Sequence, residues 1–117
     1  MEGPRYSVLV VEDDPSLRLL ARVNLELEGF QVREAAALAQ ARAALAEARP
    51  DVVFLDVHLG GEQSDELLDE LAAAGVPVVL VTGSADAASY RDRASEVLGK
   101  PYAPEALIEA ARRLAVG

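Results

Sequence analysis

Short aliphatic runs alternate with stretches of helical periodicity along the whole of this 117-residue chain, and that alternation restricts its fold more than any other feature. Residues 6–11 (YSVLVV) form a β-branched run ended by Glu12-Asp13-Asp14-Pro15. Asp14 followed by Pro15 is a helix start, an N-cap acceptor before a ring that fits the first helical position. Leu17, Leu20, Val23 and Leu27 then recur at helical spacing until Gly29 stops the helix. Residues 31–34 alternate with polar side chains and read as a peripheral strand. Leu38, Ala41, Leu45 and Ala48 mark a second, Ala-rich helix that ends before Pro50.

The pattern then repeats. Residues 52–55 (VVFL) are continuously apolar, as expected of a strand covered on both faces. Asp56 follows, then a loop with Gly60-Gly61, then a helix with Leu67, Leu68 and Leu71 on one side and Gly75 at its end. Residues 76–81 give another buried strand, with Pro77 tolerable near its start. Thr82-Gly83-Ser84 comes next, then a weakly patterned helix over residues 87–94 and a short apolar step at 97–98. After Lys100-Pro101, a final helix opened by Pro104 carries Leu107, Ala111 and Leu114. Five strand–helix repeats in this order imply an α/β domain with a parallel sheet, right-handed crossovers and helices on both faces. One domain is expected over residues 1–117, with about 5–116 folded.

Composition narrows the partners. With 20 acidic and 11 basic side chains the net charge is −9, which argues against direct contact with nucleic acid or an anionic membrane. No Cys is present, so disulfide frameworks and thiolate metal sites are excluded. The longest uncharged stretch, residues 71–85, is interrupted by Gly75, Pro77 and Gly83 and falls short of the ~20 apolar residues of a membrane span. Without a secretory segment, a cytoplasmic address is the expectation.

In open parallel sheets, ligands bind beyond the carboxyl ends of the strands. Glu12, Asp13 and Asp14 follow the first strand, Asp56 the third, Thr82 the fourth and Lys100 the fifth. If the first and third strands are neighbours, ~4.8 Å apart, Asp13 and Asp56 face each other across the gap. Clustered carboxylates repel unless a cation lies among them, and an all-oxygen set suits Mg²⁺ or Mn²⁺. An aspartate can attack phosphorus to give an acyl phosphate, with a lysine supplying a point charge and a threonine a hydrogen bond. Each residue alone has a plainer explanation. Glu12-Asp13-Asp14 would suit any helix start, Asp56 a turn, and His58 a solvent-facing loop. Lys100 differs, being the single lysine of a chain whose ten other basic residues are all Arg.

The strings LVVEDDPS, VVFLDVHLGG, VVLVTGS and GKPYAPEAL resemble the receiver domains of two-component response regulators, in the right order over nearly the entire chain. The resemblance implies a flavodoxin-like (βα)5 sandwich of strand order 2-1-3-4-5. It implies that Asp56 is the phosphoacceptor, served by a histidine kinase or a phosphotransfer protein in a Mg²⁺-dependent reaction. By the same resemblance Asp13 and either Glu12 or Asp14 complete the acidic pocket, and the His58 backbone carbonyl is a further metal ligand. Thr82 matches the switch hydroxyl and Lys100 the family lysine, with a cis bond to Pro101. The protein would be a phosphoacceptor rather than a turnover enzyme, a monomer or weak homodimer, with an unidentified downstream protein target. No effector module follows Gly117, so it is either a stand-alone receiver or part of a longer regulator.

Three departures bear on readout. Val97 stands where the family usually has an aromatic ring, a role Tyr102 or Tyr90 would have to assume. The interval from Thr82 to Lys100 is about one helical turn short, so the fourth helix should be shortened or irregular. Gly60 replaces a common proline. The alternative function is a phosphorylation-independent interaction module on the same fold. An aspartyl phosphatase fits less well, since His58 stands where such enzymes carry a second acid.

Overall fold

The computed structural model describes residues 5–59, 62–83 and 87–116. Its main sheet contains β1 (Ser7–Val11), β2 (Gln31–Ala35), β3 (Val52–Asp56), β6 (Val78–Thr82) and β7 (Glu96–Gly99). All are parallel, in the order β2-β1-β3-β6-β7. Counting only strands of this sheet, that is the 2-1-3-4-5 order of a flavodoxin-like fold. The helices are α1 (Pro15–Leu27), α2 (Leu38–Glu47), α3 (Asp65–Ala73), α4 (Ala87–Tyr90) and α5 (Pro104–Val116).

The continuous apolar runs divide their side chains between two cores, because successive strand residues point to opposite faces. Leu9, Val11, Val53, Leu55 and Leu80 join Ala41, Leu67, Leu68 and Leu71 beneath α2 and α3. Val8, Val10, Phe54, Val79 and Val81 join Ala21, Leu25, Leu107 and Ala111 beneath α1 and α5. Covered on both sides, every residue of β3 and β6 is buried. The edge strand β2 is partly exposed, as its alternation predicts. Gly29 and Gly75, at φ 95° and 75°, take the left-handed turn that ends α1 and α3. Among the described residues no helix is long and apolar enough to cross a membrane.

Some expectations need correction. The buried seam of α1 is Ala21 and Leu25, not the stripe of Leu20, Val23 and Leu27. Those three, with Leu19, are 44–77% exposed, so α1 carries a second apolar stripe turned away from the sheet. The loop after Asp56 contains a small antiparallel pair, β4 (His58–Leu59) with β5 (Glu62–Gln63). Gly60 and Gly61, and with them the expected loosening of that loop, lie outside the described residues, as does Ser84. The strand over 76–81 begins two residues late, at Val78, because Val76 still bonds back to Leu71 at the end of α3 (3.0 Å). The fourth helix is shortened as expected, ending at Tyr90 rather than Ala94, with turn bonds from Arg93 and Ala94 to the Tyr90 carbonyl.

Candidate functional site

β1 and β3 pair with Val11 opposite Leu55, so their next residues, Glu12 and Asp56, emerge side by side at the carboxyl edge. Both are 5% exposed. A carboxylate oxygen from each of Glu12, Asp13 and Asp56 lies within 4.8 Å of the others. Three hard oxygen donors at that spacing, two buried and one exposed, fit a small divalent cation that keeps several waters.

β7 brings Lys100 to the same edge. Its backbone N–H donates to the Thr82 carbonyl at 2.8 Å, which continues the ladder past β6. Its Nζ then lies 2.9 Å from Asp56 Oδ2 and 3.2 Å from Glu12 Oε1. The Lys100–Pro101 bond is cis. The backbone N–H of His58 donates to Asp56 Oδ1 at 3.1 Å. The two Asp56 oxygens therefore have different partners, one an ammonium and one an amide. The surrounding cleft, about 520 Å³, is lined by Asp13, Asp14, His58, Gly83 and Lys100 among others.

Glu12 and Asp14, the two alternatives beside Asp13, are engaged differently. Asp14 Oδ1 accepts from the N–H groups of Ser16 (2.8 Å) and Leu17 (3.2 Å), capping α1 as a helix start requires. Asp14 contributes its backbone instead, donating to Glu12 Oε2 at 3.2 Å. Thr82 is 1% exposed, and its hydroxyl donates to the adjacent Gly83 carbonyl at 3.2 Å. The His58 carbonyl remains a metal ligand by resemblance only. Sequence reasoning missed two residues. Arg18 Nη1 donates to the Glu12 carbonyl at 2.8 Å, while its Nε pairs with Glu34 at 3.3 Å and steadies the acidic turn. Ser64 Oγ donates to the Asp56 carbonyl at 2.5 Å. Arg18 is separated by six residues from its target, and Ser64 reads as an ordinary helix cap, so neither carries a local signal.

Burial pushes the Glu12 carboxyl up to about 7, and a hydrogen bond shared with Asp56 and the Asp56 charge add to the rise. Burial pulls Lys100 down, but its bonds to Asp56 and Glu12 outweigh that and hold it above its ordinary value. The Tyr102 phenol is likewise raised, first by burial and then by the Glu12 charge. The folded metal-free chain holds a proton on Glu12 more tightly than the unfolded chain does. The stability this confers is complete below pH 4.5 and is lost as pH rises through about 7. In chelator, melting temperature should therefore fall across that window, and Glu12→Gln should flatten the fall. An unchanged slope in the variant would place the titrating group elsewhere.

Comparison with known proteins fits this geometry. The profile of the response regulator receiver domain matches residues 8–112. The chain is 34% identical over 117 residues to the DNA-binding response regulator MtrA of Mycolicibacterium smegmatis, an alignment spanning 96% of this chain and 51% of that protein. Over 112 residues it is 35% identical to the C4-dicarboxylate transport transcriptional regulatory protein DctD of Pseudomonas aeruginosa, spanning 91% of this chain and 24% of that one. The crystal structure of the receiver domain of NtrX from Brucella abortus superposes with a TM-score of 0.86 at 33% identity, covering 93% of this chain and 98% of the other. This chain therefore belongs to the response regulator receiver domain family.

Proposed function

We propose that Asp56 accepts a phosphoryl group from a phosphohistidine of a histidine kinase or phosphotransfer protein and holds it as an acyl phosphate. One observation carries this reading: a buried aspartate at the sheet edge shares a cleft with two further carboxylates and bonds the chain's single lysine at 2.9 Å. An Asp56 carboxylate oxygen would attack phosphorus, the phosphorus–nitrogen bond of the donor would break, and the imidazole would depart with the electron pair. Lys100, already seated between Asp56 and Glu12, would face the phosphoryl oxygens as charge shifts onto them. The His58 N–H orients the carboxylate. Thr82 would give up its bond to Gly83 to donate to a phosphoryl oxygen. Mg²⁺ or Mn²⁺ held by Glu12, Asp13 and Asp56 supplies the positive charge that lets an anionic group approach three acids. Attack of water on the acyl phosphate resets the site, so the chain is a stoichiometric acceptor and not a turnover catalyst. A cytoplasmic address belongs to the same reading. The test is incubation with Mg²⁺ and acetyl phosphate, which should add one hydroxylamine-labile phosphoryl group per chain. An unlabelled protein would overturn the assignment.

The exposed stripe of α1 suits the docking of the protein donor. α1 begins at Pro15, on the lip of the cleft, so a helix laid along Leu19, Leu20, Val23 and Leu27 lies within reach of Asp56. The double variant Leu19→Glu/Val23→Glu should slow transfer from a phosphorylated protein donor about tenfold or more. Its labelling by acetyl phosphate should stay within about twofold, since small donors need no docking face. An equal loss with both donors would remove the stripe from this role.

A further inference from the structure

The three carboxylates can share one ion only if the turn that carries two of them keeps one shape. Glu12, Asp13 and Asp14 span the gap between β1, ending at Val11, and α1, starting at Pro15. Both sides of that gap are fixed. The Glu12 N–H donates to the Ala35 carbonyl at 3.0 Å, prolonging the ladder past the Val11–Ala35 pair. Asp14 is committed to α1 by its cap. Between them lies the Glu12–Asp13 peptide, a rigid plane that turns only about the dihedrals flanking it. Its orientation decides where the exposed Asp13 carboxylate is carried relative to the buried Glu12 and Asp56.

One side chain grips that plane. Arg18, early in α1, donates Nη1 to the Glu12 carbonyl at 2.8 Å. The guanidinium is itself moored, because its Nε lies 3.3 Å from Glu34 Oε1 and Glu34 Oε2 accepts from Arg22 Nη1 at 2.9 Å. Arg18 and Lys100 therefore do different work. Lys100 bonds carboxylates of the cleft directly. Arg18 bonds the backbone of the turn, while its charge is answered by Glu34 on β2. A planar fork suits that second task, since nitrogens at a fixed separation reach a carbonyl and a carboxylate together.

We infer that Arg18, moored by Glu34, is a positioning residue for the divalent cation, setting the Glu12–Asp13 peptide so that both carboxylates face one ion with Asp56. This deepens the metal reading given above and rests on it. Charge and geometry make opposite demands at this position. By Coulomb attraction alone, deleting a cation beside an acidic cleft tightens Mg²⁺ binding. If the cation instead preorganises the ligands, its removal leaves the ion to order the turn, and binding weakens.

The measurement is the Mg²⁺ affinity of the unphosphorylated protein by isothermal titration calorimetry, with no phosphodonor present. Arg18→Met should bind Mg²⁺ at least about tenfold more weakly than wild type. Arg18→Lys keeps the charge, but one ammonium cannot serve the Glu12 carbonyl and Glu34 as the fork does, so its affinity should fall between the two. That variant decides the question if Arg18→Met does not fold. A tie that merely joins α1 to the end of β1 would lower the melting temperature and leave the Mg²⁺ affinity of the folded protein alone. Unchanged or tighter binding in folded variants, beside a wild type that binds Mg²⁺, therefore overturns the positioning role by itself. A wild type that binds no Mg²⁺ would remove the metal reading, and this inference with it.

Discussion

Lys100→Met is expected to slow phosphoryl uptake by Asp56 about 100- to 1,000-fold, even though the nucleophile and the three carboxylates are untouched. The reason lies in where the ammonium sits. A single nitrogen lies 2.9 Å from Asp56 and 3.2 Å from Glu12, at the rim of a cleft that must receive a group already carrying negative charge. Methionine keeps the length and the apolar stem but leaves the phosphoryl oxygens facing acids without that donor. The same change also leaves two buried carboxylates partly uncompensated. Lys100 is 29% exposed, so water repays part of the loss, and the destabilisation should stay under the roughly 3–5 kcal/mol typical of breaking a fully buried pair. Lys100→Arg should not restore the rate. A planar fork cannot place one donor atom between both carboxylates as the Nζ does, and that geometry accounts for a lysine in a chain that otherwise uses only arginine. Quench-flow or gel-based labelling with acetyl phosphate reads the effect. An arginine variant labelling at the wild-type rate would show that charge alone is needed.

Much of this architecture was legible in the sequence because the determining signals are local. Residues 52–55 and most of 76–81 are apolar without a break, and only strands covered on both faces can bury such runs. Asp14-Pro15 names the start of α1 to the residue. Once strands one and three are adjacent, the residue after each is bound to share the edge, which is why Asp56 and the acidic turn meet. The shortened fourth helix followed from the count of residues between Thr82 and Lys100.

What stayed hidden depends on contacts between distant segments. Helical periodicity in α1 is satisfied equally by Leu20-Val23-Leu27 and by Ala21-Leu25. The larger side chains suggest the first stripe, but the close approach of α1 to the sheet and to α5 selects the small Ala21. Glu12 and Asp14 are equally acidic in composition. The capping role of Asp14 was already readable in Asp14-Pro15, but that Glu12 is the one to meet Asp56 is a contact between strands far apart in the chain. The contacts of Tyr90 and Arg93 with Asp65 were invisible for the same reason, spanning 25 and 28 residues of chain. Arg93 reads as an ordinary surface charge until its partners are seen.

Asp56→Asn is expected to abolish phosphoryl uptake altogether. Asparagine nearly matches aspartate in size, and its side-chain oxygen can still accept from the His58 N–H, so the end of β3 should keep its shape. What the amide lacks is a carboxylate oxygen able to attack phosphorus, and no neighbouring acid can take over. Glu12 is held by Lys100 and by the Asp14 backbone N–H, and Asp13 is exposed where Asp56 is buried. Intact-mass analysis of wild type and Asp56→Asn, each incubated with acetyl phosphate with and without Mg²⁺, puts the assignment to the test. One added phosphoryl group in the wild type with Mg²⁺, and none in the other three samples, is the predicted result. A phosphoryl group on the folded Asp56→Asn protein, or equal labelling of the wild type without Mg²⁺, would contradict it.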